Sequence, residues 1–122
     1  MTAKSGSCVG SKLIFACSGG SDVGHLTDLA AREMTKRGAG KMYCLAGIGG
    51  RVEPILATAR SAESILAIDG CAQNCAKNTL EQAGFSDFVH VQLAELGFSK
   101  GQSEPTAGRI SMVAEKVIEK LK

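Results

Sequence analysis

Short apolar runs of strand length, each followed by a glycine-bearing turn and then a stretch of helical periodicity, constrain this chain more than any other feature. Leu13-Ile14-Phe15-Ala16 ends at Cys17-Ser18-Gly19-Gly20, and an apolar run bounded in this way reads as a buried strand. Ser21 or Asp22 can cap the helix that follows. Val23, Leu26, Leu29, Ala30 and Met34 recur there at helical spacing, and Gly38 and Gly40 stop it. Lys41-Met42-Tyr43-Cys44-Leu45 is the second strand expected, running into a flexible loop over residues 46–50. A short helix fits residues 53–61, with Pro54 in its first turn. Ile65-Leu66-Ala67-Ile68 is the clearest buried strand, and Asp69-Gly70-Cys71 follows it directly. Ala72, Cys75, Ala76, Leu80 and Ala83 then make one helical face, closed by Gly84. Phe88-Val89-His90-Val91 is the fourth strand. After a polar loop entered at Gly97, Ile110, Val113, Ala114, Val117, Ile118 and Leu121 outline the strongest amphipathic helix, introduced by Pro105.

Strands and helices alternating at these lengths form right-handed βαβ units around a parallel sheet. The expected fold is therefore α/β: a three-layer sandwich with a Rossmann/flavodoxin-like parallel sheet of four strands, flanking helices and strand order 2-1-3-4. The expected organisation is a flexible leader over residues 1–11, carrying Cys8, and a single α/β metal-binding domain over 12–122. With 44% hydrophobic residues in 122, the chain can bury a real core without covalent staples.

Charge and composition exclude several functions. Fourteen basic and twelve acidic residues leave a net charge of +2, which is no electrostatic footprint for nucleic acid. No Trp, one Tyr and four Phe leave little surface for stacking bases. The apolar runs are too short to span a bilayer, and residues 1–11 hold no apolar signal core. A cytoplasmic location follows, where thiols stay reduced, so metal binding or redox chemistry is the leading account of five cysteines.

The expected topology gives those cysteines a place. Cys17, Cys44 and Cys71 each fall at or just past the carboxyl end of a strand, and Cys75 lies four residues beyond Cys71. Ligands of open α/β sheets bind at that edge, near the point where strand order reverses. Four thiolates form a tetrahedral zinc shell with bonds of about 2.3 Å. Cys71 and Cys75 are expected at i and i+4 on one face of the helix start, where free N–H groups and the positive dipole end favour thiolate. The shell's surplus negative charge requires donors, for which the backbone around Gly19, Gly20, Gly49, Gly50 and Gly70 stands ready, with Lys77 and Arg51 as weaker candidates.

The stretch Ile68-Asp69-Gly70-Cys71-Ala72-Gln73-Asn74-Cys75-Ala76-Lys77 resembles the DGC-domain family of zinc-binding proteins, named after Asp-Gly-Cys. Cys17-Ser18-Gly19-Gly20-Ser21-Asp22-Val23-Gly24 looks like that family's first strand and helix, and Cys44-Leu45-Ala46-Gly47-Ile48-Gly49-Gly50 like its second cysteine loop. The resemblance implies four chelating cysteines matching Cys17, Cys44, Cys71 and Cys75. It also implies a further cysteine in the helix after Asp-Gly-Cys, where this chain reads Asn78-Thr79-Leu80.

Asp69 is expected to orient the site by capping N–H groups. His25, in the first helical turn, lies within reach of the cysteine edge as a fifth ligand or proton carrier, whereas His90 reads as an ordinary strand residue. Cys44 and Arg51 are separated by six residues, one more than a phosphatase loop has. The Cys17 loop lacks the signatures of P-loops and dinucleotide sites. Two further chemistries use the same residues: thiol redox catalysis by Cys71 with Cys75 or Cys17 as partner, and an iron–sulfur cluster on all four cysteines. The loop over residues 97–104 is expected above the same edge, as a lid or a simple connection.

Overall fold

A computed structural model describes residues 11–121; the expected leader and Cys8 lie outside the described residues, apart from Ser11. Four parallel strands, β1 (Lys12–Ala16), β2 (Lys41–Met42), β3 (Ser64–Asp69) and β4 (Val89–Gln92), form one sheet in the order β2-β1-β3-β4. This is the expected order. The interleaved helices are α1 (Asp22–Lys36), α2 (Leu45–Gly49), α3 (Glu53–Arg60), α4 (Cys75–Gln82) and α5 (Ala107–Lys120), with a 3-10 turn over Leu93–Leu96.

Strand periodicity divides the core into two layers. Ile14, Ala16, Leu66, Ile68 and Val91 face α1 and α5, burying Leu26, Met34, Val113 and Val117. Leu13, Phe15, Ile65 and Ala67 face the other way, onto Ile48, Leu56, Ala76 and Leu80 of α2, α3 and α4. Each fully buried aliphatic side chain contributes about 1.5–3 kcal/mol by leaving water. Both faces of β1 and β3 are covered, which explains why those two strands read as unbroken apolar runs.

Helix ends follow local chemistry. Ser21 caps α1, its hydroxyl accepting from Gly24 N at 3.2 Å. Thr106, rather than Pro105, caps α5 by accepting from Arg109 N at 3.2 Å. Pro54 occupies the first turn of α3, as its sequence position predicts.

Two expected elements differ. β2 pairs only through Lys41 and Met42, and the glycine-containing run after Cys44 is helix α2 instead of a loop. Ile48 drives this change, since the helical turn places it fully buried in the second core layer. Helix α4 starts at Cys75 and not near Cys71, because Asn74 sits in the left-handed region at φ 54° and breaks the backbone run.

Two glycines set the spacing between layers. A Cβ on Gly24 would stand 2.6 Å from Gly19 N and 2.7 Å from Gly19 O. One on Gly70 would stand 2.8 Å from Val23 C and 3.0 Å from Gly24 N. The loops after β1 and β3 are thus both in backbone contact with the first turn of α1. Gly24→Ala and Gly70→Ala should each lower stability by about 1–3 kcal/mol through overpacking. Thermal denaturation checks this, and a melting temperature equal to wild type for both would refute the close approach.

Candidate functional site

The carboxyl edge of the sheet is built around α1. Cys17 follows the last residue of β1, and its N–H donates to Ile68 O at 3.0 Å, extending the β1–β3 ladder by one bond. Its thiol lies 3.4 Å from the hydroxyl of Thr27, a fully buried residue. That hydroxyl donates its single proton to Gly24 O at 2.6 Å and accepts from Ser18 N at 3.2 Å. With the proton already spent, the contact runs from the Cys17 S–H to the Thr27 oxygen. Ser18 takes φ 51° and its hydroxyl donates to Asp28 Oδ2 at 2.8 Å, with Arg32 on the other oxygen of that carboxylate.

The segment from Asp69 to Cys75 is organised by Asp69, which is 1% exposed. Oδ1 accepts from Ala76 N at 2.7 Å, and Oδ2 accepts from Lys77 N at 3.0 Å. His90 Nε2 stands 2.8 Å from the same Oδ2. A carboxylate has no proton to give, so the histidine is the donor. The capping of N–H groups expected of Asp69 is present in these bonds. Two of the N–H groups in the first turn of α4, those of Ala76 and Lys77, are taken by Asp69. The cysteines do not share a helical face either: Cys71 lies in the turn before α4, closed by Asn74 N donating to Cys71 O at 3.2 Å.

Cys44 is the residue before α2, exposed, and makes no side-chain cap. All four cysteines among the described residues are free; Cys44 and Cys75 are exposed, Cys17 and Cys71 half-buried. They line one edge, yet their side chains are divided between its two sides. Cys17 packs against the α2–α4 layer and Cys71 against the α1–α5 layer. Among the described residues, no three His, Cys, Asp or Glu side chains are gathered about one point as a metal site requires. The donor set fits zinc in its chemistry, four free thiols of which three follow neighbouring strands and one starts α4, and a common shell requires the edge loops to rearrange around the ion.

Other expected participants are placed as follows. Gly19 and Gly20 are exposed in the loop beyond Cys17, while Gly70 is buried against α1. His25 is exposed on α1. Gly50 N is committed to Ala46 O at 2.9 Å. Arg51 donates to Ile48 O at 2.9 Å, Gly49 O at 3.2 Å and Gln82 O at 3.1 Å, so it closes the ends of α2 and α4 and is not free to balance charge at the cysteines. Lys77 pairs with Glu81 at 3.9 Å. A crevice of 410 Å³ opens beside Cys17, lined by Ser18, Leu45, Ala46, Gly49 and Thr79.

The loop over residues 97–104 is a tethered connection. Asp22 accepts from Gly101 N at 2.9 Å on Oδ1 and from Ser103 N at 2.8 Å on Oδ2, while Oδ1 also accepts from Val23 N. The Gly101 and then the Ser103 N–H groups hold the Asp22 carboxyl below the usual carboxylate range. The residues missed from the sequence are His90, Thr27 and Asp22 in these roles. Only the strand register could have revealed the first: Ala67 pairs with His90 and Asp69 with Gln92, so His90 shares the Asp69 face.

The DGC domain model matches residues 13–117, and the chain belongs to the DGC-domain family. A relative from Pseudomonas aeruginosa, the anaerobic and virulence modulator AnvM, is 37% identical over 92 residues, which is 75% of this chain and 70% of that protein. No solved structure matches the chain. Among the described residues, no helix is long and apolar enough to cross a membrane.

Two outcomes test this geometry. Thr27→Val removes the acceptor that holds the Cys17 S–H while keeping the side-chain shape. Iodoacetamide should then alkylate Cys17 several-fold faster than in wild type, read by mass spectrometry of the metal-free protein; an unchanged rate contradicts the hydrogen-bond direction. The Asp22 tie is a depressed-carboxyl case. Its stabilisation is present above the unfolded-state value and is lost as pH falls through the lowered folded-state value. The Gly101 and Ser103 amide resonances should titrate together, with a midpoint below that of an aspartate in a short peptide, and a midpoint at or above the peptide's would refute the tie.

Proposed function

We propose that this protein binds zinc through the thiolates of Cys17, Cys44, Cys71 and Cys75, as a cytoplasmic module in which the metal is structural or is handled as cargo. One observation carries the reading: the free thiols come from the ends of three adjacent strands and the start of α4, all along one sheet edge. Membership of the DGC-domain family supports it. Four thiolates around a divalent ion leave no open coordination position, so the proposed role is binding and not hydrolysis. The backbone around Gly19 and Gly20, two exposed residues just past Cys17, is the donor source best placed to offset the surplus charge. Because the thiols are split between the two sides of the edge, zinc binding is coupled to movement of the loops that carry them.

A second reading, thiol redox chemistry by Cys71 and Cys75 with Cys17, takes support from the exposure of Cys75 and from the relative named as an anaerobic modulator. It is weakened by Asp69, which claims two of the N–H groups that would otherwise activate a thiolate at the start of α4.

Protein purified anaerobically should carry close to one zinc per chain by metal analysis, and each single Cys→Ser change at the four positions should lower that content. Recovery of well under one zinc, with four freely titrating thiols, would overturn the reading. A brown protein with charge-transfer absorbance would replace zinc by an iron–sulfur cluster on the same residues.

A further inference from the structure

We propose that His90 and Gln92 of β4 are positioning residues for the Cys71–Cys75 pair, clamping the segment that carries both thiols. The two side chains are two residues apart on one strand and so project from the same face of the sheet. His90 Nε2 donates to Asp69 Oδ2 at 2.8 Å, and Gln92 Nε2 donates to Asn74 Oδ1 at 2.8 Å. Asp69 lies two residues before Cys71, and Asn74 immediately precedes Cys75. The clamp therefore grips the cysteine segment at both ends.

Neither bond is required to satisfy a buried group. Asp69 already accepts a backbone N–H on each oxygen, and Asn74 and Gln92 are half-buried at the edge, where water can replace either partner. What the bonds add is position. Asn74 holds φ 54°, a conformation asparagine tolerates but does not require, and this backbone turn separates Cys71 from the first residue of α4. Fixing its side chain to β4 fixes the direction in which Cys75 leaves the helix start. β4 is an edge strand with no thiol of its own, so its contribution to the cysteine edge is made entirely through these two polar side chains. Partners that orient ligating residues in this way typically contribute about 10- to 100-fold in metal affinity.

The consequence for metal rests on the zinc reading above, whereas the clamp is a property of the metal-free chain, and the experiment separates them. His90→Ala, Gln92→Leu and the donor-preserving His90→Gln are compared with wild type by three measurements. These are alkylation rates of Cys71 and Cys75 against Cys44 in metal-free protein, zinc affinity by competition with a chromophoric chelator, and melting temperature. His90→Ala and Gln92→Leu should raise alkylation at Cys71 and Cys75 several-fold with Cys44 unchanged, and should weaken zinc binding about 10- to 100-fold. His90→Gln should behave as wild type. If wild type takes no zinc but the alkylation pattern responds, the clamp stands and the metal reading falls. If wild type binds zinc and both disruptive variants bind it as tightly with unchanged alkylation, the clamp falls and the metal reading stands. A uniform rise at all cysteines with a collapsed melting temperature marks general loosening and overturns the positioning role. Should His90→Ala fail to fold, Gln92→Leu, at the more exposed end, decides alone.

Discussion

The buried carboxylate of Asp69 is the point on which the functional edge depends. It terminates β3, accepts from the N–H groups of Ala76 and Lys77 in the first turn of α4, and takes the His90 imidazole from β4. A carboxylate that is 1% exposed persists only when its oxygens are satisfied, and here two backbone N–H groups of α4 satisfy one oxygen each, with His90 of β4 adding a third donor. The same bonds decide the local chemistry. Two N–H groups of the first turn of α4 are given over to a fixed side chain, so Cys75 sits at a helix start whose positive end is already shared with a carboxylate.

The first two turns of α1 do comparable work on the other side of the edge. Gly24 is in backbone contact with Gly19, Val23 with Gly70, Thr27 bonds the Cys17–Ser18 segment, and Asp22 holds the loop at Gly101 and Ser103. Three loops that are distant in sequence therefore share one helix end as their reference. A disturbance of that helix end is felt at Cys17 and, through Gly70, at the segment bearing Cys71. The edge is thus a single assembly, although its thiols are split between the two sides of the sheet. That split is the main physical fact a shared ion must overcome: half-buried Cys17 and Cys71 leave different core layers, while Cys44 and Cys75 are already in solvent.

Much of this was legible in the residues. Strand-length apolar runs separated by amphipathic stretches point to a parallel sheet between helices, and the order β2-β1-β3-β4 is the one expected by analogy with flavodoxin-like folds. The strand ends placed all four cysteines along one edge, and an aspartate before a helix is a capping residue for local reasons. Less legible was the start of α4. The spacing of Ala72, Cys75 and Ala76 is helical, but the left-handed Asn74 is held through Gln92, eighteen positions away. The glycine-containing run after Cys44 was equally deceptive, since burial of Ile48 outweighs the poor helix propensity of Gly47 and Gly49.

Periodicity, turn residues and the sites of the thiols are properties of neighbours in the chain, so the fold class and the strand ends on which the cysteines lie could be read from local sequence, with the strand order supplied by analogy. Hydrogen-bond partners across that edge depend on register and on which face of the sheet each side chain leaves. His90 against Asp69, Thr27 beneath Cys17 and Asp22 beneath Ser103 were therefore decided only by the tertiary structure. A shift of one residue in the pairing of β4 with β3 would have turned His90 to the opposite layer, and nothing in the local sequence of β4 prevents it.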